Sequence, residues 1–229
     1  MSATAKGKRS YWDITDNPSI AVLAKRRLAA AVRELVGLTA TSDAPEAVLR
    51  EMAVTAESMV SSLRTHPTRT FRDAFATCKT EEDFVPFADR SLMTGRSNPF
   101  APPMTLSMQG KKAVGRVRFG STYEGVPGHV HGGMVAAVLD EALGYLAVNH
   151  DIGGLTAMLT VRYRAPTPLD ADLIIDADVV RTDGRKAFVE ARILSGDAIM
   201  AEAEAVFIAV DRTRMLAVID SAKKDAEKG

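Results

Sequence analysis

The chemistry of this chain concentrates in Tyr123-Glu124-Gly125-Val126-Pro127-Gly128-His129-Val130-His131-Gly132-Gly133, which runs straight into Met134-Val135-Ala136-Ala137-Val138-Leu139-Asp140-Glu141-Ala142-Leu143-Gly144. A His-Gly-Gly turn stands at the mouth of an apolar helix, and two adjacent carboxylates lie about two turns inside it. The first N–H groups of a helix have no intrahelical partner and sit at the positive end of its dipole. An oxyanion forming there meets donors already in place. A carboxylate further along can attack a carbonyl carbon or activate a water. Asp140 shares a face with Ala136, Gly144 and Ala147, all small, which leaves room for a substrate. Glu141 is turned about 100° away, toward Val138 and Tyr145. Val138, Leu139, Ala142, Leu143 and Leu146 make the helix apolar nearly all round, and a carboxylate buried there without a task is costly.

Other chemistries find less support. His129 and His131 alternate as a metal pair on a strand would, but the Glu that such a motif needs a few residues later is replaced by Met134, Val135 and Ala136. No Gly-x-Ser-x-Gly elbow, phosphate loop or dinucleotide fingerprint occurs. Cys78 has no nearby His to activate it. His66 and His150 stand alone and read as exposed or capping residues.

Strands and one long helix must position the motif. Ala113, Gly115, Val117 and Phe119 alternate with Val114, Arg116 and Arg118 before it. After the helix come runs from Leu155 to Arg164, Leu173 to Arg181, Lys186 to Leu194, and Ala201 to Ala209, with Asp183-Gly184 and Ser195-Gly196-Asp197 as hairpin turns. The order is strand, long helix, then four hairpin-linked strands, an antiparallel sheet on one helix in the α+β class.

The motif resembles the signature of hotdog-fold acyl-coenzyme A thioesterases of the phenylacetate-pathway type, in which Tyr-Glu-Gly-x-Pro-Gly-x-x-His-Gly-Gly precedes the central helix. The resemblance spans roughly residues 90 to 210 and is strongest from 123 to 144. It implies a hotdog fold and hydrolysis of an acyl-coenzyme A thioester to free acid and coenzyme A. It places the acidic catalyst, nucleophile or general base, at Asp140, nine residues after His131. The Gly132 N–H then polarises the thioester carbonyl, and His131 orients the turn or the carbonyl. A Ser or Thr that the family takes from the neighbouring subunit maps onto Thr156. Gly133 and Glu141 are expected beside the substrate. Where some relatives carry an Asn or Gln six residues before the His, this chain has Gly125, which can help only through its backbone. Arg162 and Arg164, with Arg185 or Lys186, are candidates for the coenzyme's phosphates. No metal or other cofactor is implied. Alternatives in view are a hotdog hydratase or dehydratase on coenzyme A or carrier-protein thioesters, and a non-catalytic acyl-coenzyme A binding module.

Composition sets outer limits. The chain has 229 residues, with 29 Lys and Arg against 29 Asp and Glu, so no net charge draws it to nucleic acid or an anionic membrane. Charges interrupt every apolar run before it reaches membrane-spanning length. One cysteine and an N-terminus without an apolar core predict a cytoplasmic address. Three regions are expected: a helical extension and linker over 1–103, the hotdog domain over 104–212, and a charged tail over 213–229. Within the extension, helices fall between about 18 and 64, with Gly37 as a stop and Pro45 at a first helical position. The stripe Leu49, Ala53, Ala56, Val60 and Leu63 is expected to pack on the chain's own sheet or on a dimer mate. A homodimer or tetramer with shared sites follows from the resemblance and from the open edges of such a sheet.

Overall fold

The computed structural model describes residues 18–70, 73, 88–152 and 154–210. Cys78, the first 17 residues and the tail from Lys223 lie outside the described residues.

Helix α1 spans Ile20–Thr41 and opens at Ser19, whose Oγ accepts the Val22 N–H. It does not stop at Gly37. That residue is buried against the 3-10 turn Ser121–Tyr123, where a Cβ would lie 2.8 Å from Thr122 Oγ1, so glycine there permits close packing rather than termination. Helix α2, Glu46–Arg64, follows directly after Pro45. None of its residues is buried, and Leu49, Val60 and Leu63 are 45%, 47% and 53% exposed. The expectation that this stripe packs on the chain's own sheet is therefore corrected.

Among the described residues two strands, not one, precede the central helix. Strands β1, Met104–Gln109, and β2, Lys112–Val117, form a hairpin whose turn places Gly110 at a φ of 64°, a left-handed conformation that suits glycine. After them come α3, Gly132–Asn149, and strands β3, Gly154–Tyr163, β4, Leu173–Asp183, β5, Lys186–Ser195, and β6, Ala198–Ala209. All pairings are antiparallel, in the order β1-β2-β4-β5-β6-β3.

The sheet wraps α3, as the α+β reading expects. Val138, Leu139, Ala142, Leu143 and Leu146 are fully buried against Ile175, Val189 and Ile193 of the strands, with Phe207 nearly so. A helix that meets protein on most sides has no need of a polar face, which accounts for its continuous apolar sequence. Helix α1 is tied to the linker before β1 by a buried ion pair. The Arg26 guanidinium from α1 grips Asp89 with Nε and Nη2, each at 2.8 Å, and the Ser97 hydroxyl donates to the same carboxylate at 2.6 Å. Asp89 is 1% exposed, so its charge depends on these partners.

Candidate active site

The loop before α3 is closed by its own polar groups. Glu124 Oε1 accepts the Gly128 N–H at 2.6 Å, and the Gly125 N–H donates to the His129 carbonyl at 2.9 Å. A Cβ on Gly125 would lie 2.7 Å from His131 Cα, so this glycine is needed for close approach, and its N–H is spent within the loop rather than offered to a substrate.

His131 is the N-cap of α3, with Nδ1 accepting the Gly133 N–H at 3.0 Å. Accepting at Nδ1 leaves the ring proton of a neutral imidazole on Nε2. The same peptide is held from its other end, because the Tyr163 hydroxyl donates to the Gly132 carbonyl at 2.8 Å. The His131 carbonyl meanwhile accepts from Met134 at 2.9 Å and Val135 at 3.3 Å. Both peptides flanking Gly132 are thus fixed, and the Gly132 N–H, at the first helical position, has no acceptor among the described residues. A free N–H at a helix start is a donor that an oxyanion could use. Gly133, expected beside the substrate, instead has its N–H committed to the cap.

Asp140 lies on α3 facing β3, and the Thr156 hydroxyl donates to its Oδ1 at 3.1 Å. The ladder between β3 and β6 slips between Thr156 and Met158, a bulge of the kind that re-aims a side chain. Burial pushes the Asp140 carboxyl above its ordinary value, and the hydrogen bond from Thr156 opposes that shift. A carboxylate short of solvent and held by one hydroxyl is a stronger base than a solvated one. Thr156 meets the acid of its own chain here.

Glu141 does not face this site. Its Oε1 accepts the Ser91 hydroxyl at 2.6 Å and the Thr94 hydroxyl at 2.8 Å, so it fastens the linker loop to α3. Arg162 is paired with Glu204, and Arg164 with Glu202 at 2.6 Å. Their charges are compensated within the sheet, so neither offers an uncompensated cation to a coenzyme phosphate. Arg185 donates to the Ala209 carbonyl through Nε and Nη2 and closes the β5–β6 end of the sheet. His150 caps α3 and reaches the Lys111 carbonyl with Nε2 at 2.7 Å. Among the described residues no cluster of three His, Cys, Asp or Glu side chains could hold a metal, and no helix is long and apolar enough to cross a membrane. Tyr163 was not expected at the site; its place at the end of an alternating strand was visible, but its partner lies 31 residues away.

Comparison with known proteins agrees with this architecture. The sequence model of the thioesterase superfamily matches residues 127–201, which hold the cap, α3 and β3 to the start of β6. The acyl-coenzyme A thioesterase THEM4 of Mus musculus is 34% identical over 108 residues, 46% of this chain and 46% of that protein. THEM4 of Xenopus laevis is 44% identical over 91 residues, 39% of this chain and 41% of that protein. The chain thus spans about half the length of the curated relatives it matches. The crystal structure of protein RHA08564, a thioesterase superfamily protein, superposes with a TM-score of 0.72 at 28% identity, covering 85% of this chain and 94% of that one. The six-stranded antiparallel sheet wrapped on α3 is a hotdog fold, and residues 127–201 match the thioesterase superfamily.

Proposed function

We propose that the protein hydrolyses acyl-coenzyme A thioesters to the free acid and coenzyme A, with Asp140 as the essential carboxylate. The observation that carries this reading is the Thr156–Asp140 hydrogen bond, which presents a partly desolvated carboxylate on the small-residue face of an otherwise apolar helix. The names of the THEM4 relatives supply the substrate class. Asp140 either attacks the thioester carbon or takes a proton from the attacking water. In both cases the negative charge that develops on the carbonyl oxygen is received by an N–H such as that of Gly132. The tetrahedral species collapses by breaking the C–S bond, and the departing sulfur takes up a proton; where Asp140 is the nucleophile, water then cleaves the acyl–aspartate anhydride and releases the acid.

One chain does not place these groups together. Eight residues separate Gly132 from Asp140, a rise of about 12 Å along the helix. A reacting carbonyl needs its nucleophile and its oxyanion donor each within about 3 Å. We infer that Gly132 of one chain faces the Asp140–Thr156 pair of a second. Strand β3 is an open edge of the sheet, with Leu155, Met158 and Tyr163 46%, 50% and 54% exposed, and an unpaired edge of this kind favours pairing with a second copy. The expected assembly is a homodimer or a higher symmetric oligomer containing it.

The decisive experiment is thiol release from a panel of acyl-coenzyme A substrates. The expected result is one thiol freed per acid formed, with some chain lengths preferred. A folded protein that frees no thiol but hydrates enoyl thioesters, or that binds acyl-coenzyme A without turnover, would overturn the hydrolase reading.

A further inference from the structure

A second site lies away from Asp140 and Thr156. A cleft of about 600 Å³ opens between α1, the loop from Thr94 to Pro103, and the ends of β1 and β2. Five arginines line it: Arg26, Arg33, Arg96, Arg116 and Arg118. Asp172 is the sole carboxylate among the described lining residues. Arg26 is neutralised by Asp89 at 2.8 Å, and Arg118 by Asp172 at 3.3 Å. Arg33, Arg96 and Arg116 have no carboxylate partner among the described residues. Arg33 is further constrained, with Nη2 donating to the Asn98 carbonyl at 2.8 Å while its Nε is buried without an acceptor.

Like charges converging on one concavity repel unless an anion joins them, and surface arginines with no such role ordinarily spread apart or pair with acids. We propose that this cleft binds a small diphosphate-bearing molecule. Three uncompensated guanidiniums match a multiply charged anion, whereas a fatty acid monoanion would leave most of that charge unanswered. All five cations are arginine, whose planar fork meets phosphate oxygens in pairs. The volume exceeds what a bare diphosphate fills and falls in the range of sites for small organic ligands. Sheet order separates the two sites: β1, at the cleft, is one edge and β3, carrying Thr156, is the other. Thr94 lines the cleft and also donates to Glu141, the residue next to Asp140, so an occupant would touch the loop that fastens the catalytic helix.

Pyrophosphate and adenosine diphosphate, titrated calorimetrically into the full chain, test the site without reference to turnover. Both are expected to bind, with affinity falling as salt rises. Arg96→Gln and Arg116→Gln, combined, should weaken binding at least tenfold while leaving the melting temperature of the free protein in place, since neither side chain has a carboxylate partner among the described residues to lose. Asp140→Asn should bind pyrophosphate as the parent does, whatever its effect on hydrolysis. Coenzyme A added to pyrophosphate-loaded Asp140→Asn protein identifies the source of the diphosphate: displacement points to the coenzyme, simultaneous binding to a separate nucleotide-like ligand. No binding of either probe, equal binding of butyrate, or unchanged affinity in the double variant would overturn the proposal.

Discussion

Thr156 Oγ1 and Asp140 Oδ1 stand 3.1 Å apart within one chain, although 16 residues separate them in sequence. The hydroxyl comes from the edge strand and the carboxylate from the central helix, and the β3–β6 ladder slips just after Thr156. The pair sets the orientation of the acid and opposes the effect of burial on its protonation. A single hydrogen bond therefore links the sheet edge, where a second copy is expected to dock, with the group on which the proposed reaction depends.

Asp140→Asn keeps shape and removes the anion, and turnover should fall by about 10²- to 10⁴-fold. Stability should move the other way. The folded state holds the Asp140 proton more tightly than the unfolded chain, so stability is lost as pH rises from the ordinary value of 3.8 through the raised one. At neutral pH the variant should melt higher than the parent, and that advantage should fade in acid, where both states are protonated. Thermal unfolding at a series of pH values checks this; a variant less stable at neutral pH contradicts it.

The pH–rate profile separates the two members of the pair. The carboxylate must be ionised to act, so the rate should decline as pH falls through the raised pKa, at a higher pH than for a solvated aspartate. Thr156→Ala removes the hydrogen bond that lowers that pKa, so the acid limb should shift to still higher pH. Loss of one hydrogen bond to a charged group should also lower the rate at neutral pH by roughly 10- to 100-fold. Thr156→Ser keeps the hydroxyl and should restore the parent profile. A hydroxyl serving only packing would leave the limb where it is.

Glu141 and Asp89 should act on stability rather than chemistry. Glu141→Ala strips Ser91 and Thr94 of their shared acceptor and should cost about 1–3 kcal/mol. Glu141→Gln retains an acceptor oxygen and should keep much of both stability and turnover. Arg26→Ala leaves the Asp89 charge buried without its main partner, with an expected cost of about 3–5 kcal/mol. Denaturant titrations give these values, and turnover per folded molecule should stay near the parent's for each.

Local pattern reached much of this structure because its signals are local. Alternation marks β4 from Leu173 and β5 from Lys186, at the starts the fold shows, and Asp183-Gly184 marks the turn between them. Small residues after His131 mark one face of α3. The same reasoning erred where a residue's role comes from a distant neighbour. Gly37 reads as a stop because its contact with Thr122 cannot be seen along the chain. Glu141 reads as a second site acid because Ser91 lies 50 residues upstream, and the Arg26–Asp89 pair spans 63 residues. Strand β1 is obscured because it directly follows Pro99, Pro102 and Pro103, although Met104, Leu106 and Met108 alternate as a strand requires.

The last prediction concerns which chain supplies which part of the site. Gly132→Pro deletes the proposed oxyanion donor with little disturbance. Proline is favoured at a first helical position, and His131, at φ −59° and ψ 130°, already has the extended conformation that precedes proline. The variant should fold, form the parent oligomer and lose about 100- to 1000-fold in rate. If Gly132 of one chain serves the Asp140–Thr156 pair of another, mixing inactive Gly132→Pro with inactive Asp140→Asn creates heterodimers with one intact site, and activity should return to as much as about a quarter of the parent's under random pairing. Asp140→Asn mixed with Thr156→Ala should stay inactive, because each chain then carries a loss in its own Asp140–Thr156 pair. The discriminating mixture is Gly132→Pro with the double variant Asp140→Asn/Thr156→Ala, which recovers a site only when the acid and the hydroxyl come together from the chain that lacks neither. If exchange of subunits is shown to occur and this mixture stays inactive, the cross-chain arrangement is wrong.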